Sequence, residues 1–300
     1  LHELDPASRG QIVSITETAA ARGTTVVYTS HREDELLPCT VRSALIENGG
    51  LSFDEPPAAV RGYTAKPPHH SLIASRAPHD AEELVSMKNC DVSIDETQVL
   101  HGISFSVKKG VHTVIAGKNG AGKSTLLRTV YGWISPAYGG EIVRFGQSGV
   151  FPLETVRPRM GFASAELQQM CDPEDLLIDI VLSGYSSAIG YVRETSPEQR
   201  ERALDLLGRI GLLERPDKPY GELSYGQQRK AVLCRALAHK PELVLLDEPM
   251  SGLDAESRET LEDILEECAE EGSTVVMAVH HAEDMPSFTR RIVALENGRI

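Results

Sequence analysis

The sequence predicts an α/β fold with a mixed β-sheet core, an N-terminal antiparallel β-subdomain and a helical subdomain. Three segments carry this prediction. A glycine-rich loop at 117–125 lies between a strand-like and a helix-like segment. Farther along, Leu-Ser-Tyr-Gly-Gln-Gln occupies 223–228, and an apolar run at 243–246 ends in Asp247 and Glu248. The loop alone predicts only a bound nucleotide, so the two later segments decide the fold class.

The two subdomains follow from different hydrophobic periods. Residues 84–116 alternate between polar and apolar side chains, which predicts antiparallel strands. Residues 170–222 carry helical periodicity, most clearly at 198–210, where apolar side chains recur on one face. The sequence therefore predicts a helical subdomain between the glycine-rich loop and the later segments.

The loop at 117–125 matches the pattern G-x-x-x-x-G-K-[ST], between a predicted strand at 111–116 and a predicted helix at 123–130. Its glycines let backbone N–H groups converge on phosphates, and the helix start adds partial positive charge. Lys123 is predicted to reach the β- and γ-phosphates, and Ser124 to ligate Mg²⁺. The predicted nucleotide contacts are Gly117, Asn119, Gly120, Ala121, Gly122, Lys123, Ser124 and Thr125.

The later segments predict the groups that act on the nucleotide. Asp247 ends a buried strand and is predicted to hold Mg²⁺ through water, while Glu248 polarises the attacking water as general base. An ordinary strand-end charge pair is the alternative, which the spacing from the other two segments disfavours. Ser224 and Gly226 open a helix predicted at 227–238, where a hydroxyl and N–H groups form a second anion site.

The first 51 residues resemble the last 51. Residues 1–51 align with 250–300 at a constant offset of 249, and 17 of these positions are identical. Chance similarity between two helix–strand units is the weaker interpretation, because the gapless match also places His31 on His280. The sequence predicts that the chain begins inside a first domain, cut at its N-terminus, and continues into a nearly complete second domain at 84–300.

Residues 52–83 separate the two predicted domains. They contain five prolines and no apolar period, which predicts an extended linker. His69 and His70 lie within it without a third metal ligand nearby, so a solvated linker is the preferred interpretation.

Composition narrows the protein class. With 300 residues, of which 41% are hydrophobic, the chain can bury one large core or two smaller ones. The apolar runs are too short to cross a bilayer, and we expect no signal peptide. Five scattered cysteines without a C-x-x-C pair predict free thiols in a reducing cytosol. A net charge of −14 argues against a nucleic-acid partner.

Together these segments resemble an ATP-binding cassette (ABC) ATPase, which is a P-loop NTPase of ABC type. The resemblance implies catalytic roles for Lys123, Glu248 and the switch histidine His280, which contacts the γ-phosphate. It also implies that each ATP lies between the phosphate loop of one cassette and the signature of another. The signature residues are Ser224, Gly226 and Gln227, and Asp254 belongs to a loop that communicates between the two sites.

Two positions depart from the family pattern. An aromatic residue usually stacks on adenine where Ile94 stands, so we expect apolar packing to hold the base. A glutamine usually follows the strand predicted at 160–163, but Ser-Ala-Glu stands there. Either Gln168 or Gln169 fills that role in a lengthened loop, or the role is lost. We favour Gln168 and also assign it as a metal contact.

Finer details resemble the ModF-type tandem ATP-binding proteins, a family associated with molybdate transport and also described as photorepair-related. They are Ser-Gly-Tyr at 183–185, Ile-Gly-Tyr at 189–191, the Leu-Ser-Tyr-Gly-Gln-Gln signature and His-His-Ala-Glu-Asp at 280–284. The resemblance implies an ATPase that takes ATP and Mg²⁺ and energises a membrane permease from the cytoplasmic face. The partner cassette is the missing first cassette or a second copy of the chain.

Two other functions compete with transport. A soluble tandem regulator of ribosomes or DNA repair is disfavoured, because the linker is proline-rich and only 101 positions lead from Lys123 to Ser224. That interval leaves no room for the long coiled coil of DNA-repair members. A binding module without turnover is disfavoured because Glu248 and His280 are both present.

Overall fold

The chain divides into two compact units, residues 1–69 and 70–300. The computed structural model describes residues 6–29, 37, 39–41, 43–47, 50–54, 81–186, 188–190, 194–280 and 284–300. Most of the predicted linker at 52–83 lies outside these residues, as do His31 and the segment 281–283.

The described part of the first unit contains one helix and a two-stranded sheet. Its elements are α1 (Pro6–Ala21), β1 (Ser43–Glu47) and β2 (Gly50–Asp54), and the two strands pair antiparallel. Strand β2 continues past residue 51, so the predicted boundary between the first domain and the linker falls inside a strand. Under the offset of 249, α1 coincides end to end with the last helix of the second unit, Ala255–Glu270.

The second unit is built on a five-stranded sheet whose described pairings are all parallel. Two central strands are almost continuously buried, as expected when both faces of a parallel sheet are covered. The order across the sheet is β10–β5–β9–β8–β7. The strands are β5 (Thr113–Ala116), β7 (Met160–Ala163), β8 (Leu243–Asp247), β9 (Thr274–Val279) and β10 (Arg291–Ala294).

The antiparallel subdomain is a three-stranded sheet in the order β4–β3–β6. Its strands are β3 (Glu83–Ile94), β4 (Thr97–Lys108) and β6 (Glu141–Arg144). Asp95 and Glu96 join the first two strands, and both have positive φ, as a two-residue hairpin turn requires. Asn297 and Gly298, which lie between the bridged residues Glu296 and Arg299, have the same signature, with φ of 47° and 71°.

Helices surround the parallel sheet and form the helical subdomain. They are α2 (Lys123–Tyr131), α3 (Ala165–Met170), α4 (Leu177–Leu182), α5 (Pro197–Arg209), α6 (Tyr225–Leu237) and α7 (Ala255–Glu270). Short 3₁₀ turns occupy Leu153–Thr155, Arg157–Arg159, Ser183–Ser186 and Tyr220–Glu222. Helix α6 begins two residues earlier than the sequence predicts, because Ser224 rather than Gly226 is its N-cap.

The predicted fold class is confirmed by the parallel sheet, the antiparallel subdomain and the helices that cover them. All five cysteines are free thiols, and four of them are buried. Within the described ranges, no helix has the length and apolar character needed to cross a bilayer.

Candidate active site

The carboxyl ends of three neighbouring strands meet at one edge of the parallel sheet. The register pairs Ala116 of β5 with Val279 of β9, and Asp247 of β8 with Ala278 of β9. Ligands of open α/β sheets bind at this edge, outside the carboxyl ends of the strands. The fold therefore gathers the phosphate loop, the Asp-Glu pair and His280, which come directly after these strands.

The phosphate loop is braced by segments far away in sequence. A Cβ atom on Gly117 would lie 2.3 Å from the carbonyl oxygen of Leu295, and one on Gly122 would lie 2.7 Å from a methyl group of Leu100. The N–H of Gly298 also donates to the carbonyl of Ala121 at 3.1 Å. The loop therefore has room for glycine only at these two positions, and the pattern at 117–125 did not reveal the bracing residues.

The N-terminus of α2 is open to an anion. Its N-cap, Gly122, has φ of 102° and carries no side chain that could accept from the first N–H groups of the helix. Such unsatisfied donors, together with the partial charge of the helix end, favour a phosphate group. Of the other predicted contacts, Asn119 and Gly120 are exposed, while Ala121 and Thr125 are buried.

The three predicted catalytic residues form one chain of contacts. The ammonium group of Lys123 donates to the carbonyls of Gly117 at 2.8 Å and Lys118 at 3.2 Å, and lies 3.2 Å from Nδ1 of His280. Nε2 of His280 lies 2.5 Å from a carboxylate oxygen of Glu248. Because a carboxylate only accepts, Nε2 of His280 carries a proton and donates it to Glu248.

Electrostatics in this chain favour a charged carboxylate. Burial raises the pKa of Glu248, but the hydrogen bond from His280 and the charges of His280, Lys123 and Arg229 outweigh it, so the net pKa is lowered. Burial lowers the pKa of Lys123, although the carboxylates of Glu248 and Asp247 act in the opposite direction. Glu248 is therefore ionised at neutral pH and able to accept a proton.

Asp247 and Ser124 fit a magnesium ion. They are hydrogen-bonded to each other, and Oδ1 of Asp247 is buried without a hydrogen-bond partner in the described part of the chain. Burial raises the pKa of Asp247, the bond from Ser124 lowers it, and the charge of Glu248 raises it further. A buried carboxylate oxygen beside a hydroxyl group is the oxygen-rich surrounding that Mg²⁺ prefers.

The signature residues lie at the start of α6. Ser224 is the N-cap, and its hydroxyl accepts from the N–H of Gln227 at 3.3 Å, while the side chain of Gln227 accepts from the N–H of Ser224 at 3.0 Å. Tyr225 and Gly226 lie against Gly252 of the loop that precedes α7. Asp254 caps α7 by accepting from the N–H of Ser257 at 2.8 Å.

The two departures from the family pattern have different surroundings. Ile94 is half-buried at the tip of the β3–β4 hairpin, and β4 contacts the phosphate loop through Leu100. Gln168 is buried in α3, and its amide donates to the carbonyl of Tyr225 at 3.2 Å. The structure thus places Gln168 against the signature helix, and its contact with a metal stays a prediction. Gln169 is exposed.

The sequence did not single out Arg229. This buried residue lies in the second turn of α6, and its guanidinium donates to the main-chain carbonyls of Asp247 and Glu248. A signal exists in the pattern, because Arg229 precedes the buried apolar run 231–234 on the same helix. A charged side chain among such positions needs hydrogen-bond partners.

The chain is similar to known ABC transporter ATP-binding proteins. The family model described as ABC transporter matches residues 100–251. The ABC transporter ATP-binding protein ModF of Escherichia coli K12 is 30% identical over 98% of this chain, and the chain spans 64% of the length of that protein. The uncharacterised ABC transporter ATP-binding protein YlmA of Bacillus subtilis 168 is 34% identical, over 72% of this chain and 83% of its own length.

A solved structure shares the arrangement. It is a dimeric ATP-binding cassette in a post-hydrolysis state, bound to ADP and Pi. The two chains are 27% identical and superpose with a TM-score of 0.62, over 72% of this chain and 96% of the other.

Proposed function

The chain belongs to the ABC transporter ATP-binding family, and we propose that its cassette at 84–300 hydrolyses ATP with Mg²⁺ to energise membrane transport. One observation carries the proposal. Lys123, His280 and Glu248 are joined by direct contacts at the edge of the sheet where the phosphate loop ends. A cation, a histidine and an ionised carboxylate at that edge are the groups that hydrolysis of a phosphoanhydride requires.

The groups of the chain act in sequence. The open N–H groups of the loop and of α2 bind the phosphates. Lys123 exchanges the carbonyls of Gly117 and Lys118 for phosphate oxygens, a stronger partner because charge then meets charge. Glu248 takes a proton from the attacking water, and His280 orients that carboxylate through its short contact. Ser124 and Asp247 would hold Mg²⁺, whose charge would offset that of the phosphates.

We propose that the site is completed by a second cassette. Ser224 and Gly226 of one cassette contribute their hydroxyl and N–H groups to the nucleotide of the other. The partner is the first cassette of the same polypeptide, with residues 1–51 as its C-terminal part, or a second copy of this chain. The coincidence of α1 with α7 under the repeat offset supports the first partner, and the dimeric solved relative supports the second.

The same proposal extends to the transported solute. The ModF-type resemblance supports molybdate or a related solute, a membrane permease subunit as partner, and a position on the cytoplasmic face of the membrane. Solute choice depends on the permease, so the cassette itself supplies only the work of ATP hydrolysis.

Replacing Glu248 by glutamine tests the proposal. Glu248→Gln is expected to bind Mg-ATP normally and to lose about 10²- to 10⁴-fold in turnover, the usual contribution of a general base. Glu242→Gln is the matched control, because Glu242 immediately precedes the first residue of β8, at the end of the strand away from the site, and forms an ion pair with Arg159. The Glu242→Gln variant should keep its turnover.

The turnover of the wild type, expressed per chain, should also rise with protein concentration, since assembly of the composite site obeys mass action.

Two results decide between the parts of the proposal. Undiminished turnover in Glu248→Gln would remove this residue from the mechanism. If Glu248→Gln abolishes hydrolysis, cells that carry this variant in place of the wild type should lose ATP-dependent uptake of labelled molybdate. Unchanged uptake would overturn the transport role and leave the ATPase standing.

A further inference from the structure

The backbone of Glu248 adopts a conformation that side-chain-bearing residues seldom accept. Its φ is 51°, in the left-handed region that favours glycine. Such a conformation persists only where the surroundings hold it from several sides. The sharp turn it makes at the end of β8 presents the carboxylate to His280. What holds this turn therefore determines where the base points.

Four hydrogen bonds hold the turn. The N–H of Glu248 donates to the carbonyl of Ala278 on β9 at 3.1 Å. Its carbonyl accepts from the N–H of Ser251 at 3.1 Å and from Nη2 of Arg229 at 2.5 Å. The same guanidinium nitrogen reaches the carbonyl of Asp247 at 2.7 Å. Arg229 is thus the one side chain among these partners, and it bridges both residues of the turn.

We propose that Arg229 is a positioning residue for Glu248, and this inference rests on the proposed role of Glu248 as general base. A charged donor makes shorter and stronger hydrogen bonds than a neutral one. Arg229 is only 3% exposed, so water does not compete for the two carbonyls. Its planar guanidinium also has a rigid geometry that a lysine ammonium lacks, so its hydrogen bonds to the two carbonyls have a fixed direction.

The placement of Arg229 gives it a second consequence. It lies on α6, whose first turn carries the signature residues, and Tyr225 one turn earlier packs on Gly252. Helix α6 therefore contacts the segment 247–252 through successive turns of one face. Helix α6 is proposed to bind the nucleotide of the partner cassette through its first turn. Through Arg229 the same helix contacts Glu248, the proposed base for the nucleotide of its own cassette. A shift of α6 on engagement with the partner moves the base with it.

A purely structural role is the alternative, and a double-mutant cycle separates the two. Arg229→Gln should lower kcat about 10- to 100-fold, the effect of misplacing a catalytic group by about 1 Å, with unchanged affinity for Mg-ATP. Arg229→Lys should restore part of that loss. In the Glu248→Gln background, Arg229→Gln should cause no further loss, because a positioning residue has no base left to position.

Lys230→Gln is the matched control. Lys230 is the next cation on the same helix, and it donates to the carbonyl of Ile210 away from the site. Its removal should leave kcat unchanged, in the wild-type and the Glu248→Gln chain alike. Thermal unfolding of every variant is measured in parallel. If Arg229→Gln does not fold, Arg229→Lys replaces it in the double-mutant cycle.

Three outcomes would overturn the inference. They are wild-type kcat in Arg229→Gln, losses that multiply independently in the double variant, and a loss of kcat that follows the unfolding temperature in every variant. In each case Glu248→Gln alone still loses turnover, so the proposed function stands. If Glu248→Gln itself keeps full turnover, the proposed function fails instead.

Discussion

The tripeptide Thr-Val-Val occurs twice in this chain, with two structural outcomes. At 274–276 it begins β9, a central strand whose side chains are all buried. At 25–27 it lies outside any strand, and Val27 is 89% exposed. The difference lies in the neighbours, because β9 pairs with β5 on one side and β8 on the other. In the described part of the first unit, no strand pairs with residues 25–27.

The helix that precedes the tripeptide is present in both copies of the repeat, whereas the strand is present in only one. Helix α1 and helix α7 each have 16 residues and coincide under the repeat offset. The two helices differ in the exposure of an isoleucine that both contain. Ile15 is 68% exposed, whereas Ile264 at the same place in the repeat is 1% exposed. A helix satisfies its hydrogen bonds within itself, while a strand needs a partner, so the repeat preserves the helix and loses the strand.

The largest expected difference between the two tripeptides is in hydrogen exchange. The amide of Val276 donates within a central parallel ladder and should open only with the whole sheet, while that of Val27 opens freely. We expect Val276 to be protected at least about 10³-fold more than Val27. Native-state exchange followed by NMR measures both amides in one sample. Equal protection would mean that a strand covers 25–27 in solution.

Of the two tripeptides, we expect only the one at 274–276 to be destabilised by acid. Nδ1 of the buried His112 accepts from the N–H of Val275 at 3.3 Å. Burial, together with the charge of Arg290, lowers the pKa of His112 to about 4, against about 6.5 for an unfolded histidine. Between these values the unfolded state binds more protons, so stability is complete above about pH 6.5 and falls as the pH drops toward 4.

The stability lost on acidification amounts to at most about 3.5 kcal/mol, since the pKa of His112 lies at about 4 instead of 6.5 and each pKa unit corresponds to about 1.4 kcal/mol. Urea unfolding of the wild type and of His112→Gln at several pH values measures it. The variant should be less stable at neutral pH and should lose less stability on acidification. Parallel curves for the two proteins between pH 6.5 and 4 would rule out the linkage.

The smallest expected effect comes from a matched pair of valines. Val276→Ala removes buried methyl groups and should cost about 2 kcal/mol of unfolding free energy. Val27→Ala at the equivalent place in the repeat should change stability by less than about 0.5 kcal/mol, as exposed substitutions usually do. Denaturant unfolding measures both. Similar costs for the two valines would contradict the contrast between the regions.

The phosphate loop shows how much of the site was predictable. Its pattern located Lys123 and Ser124, because glycines at fixed spacing impose a local backbone shape. Ser224 and Gln227 were predictable for the same reason, since an N-cap and its partner lie three residues apart. The glutamine after β7 was harder to place, because a lengthened loop breaks the spacing on which the pattern depends.

Four features of this protein were predictable from its amino-acid sequence: the glycine loop, the helix caps, the Asp-Glu strand end and the repeat. The first three depend on residues within a few positions of one another, and the repeat is visible in the sequence at its constant offset of 249. Long-range contacts in the fold determine which Thr-Val-Val becomes a strand, that Lys123 contacts His280, and that Arg229 bridges Asp247 and Glu248. These contacts depend on which strands and helices become neighbours, and a local pattern carries no record of partners distant in the chain.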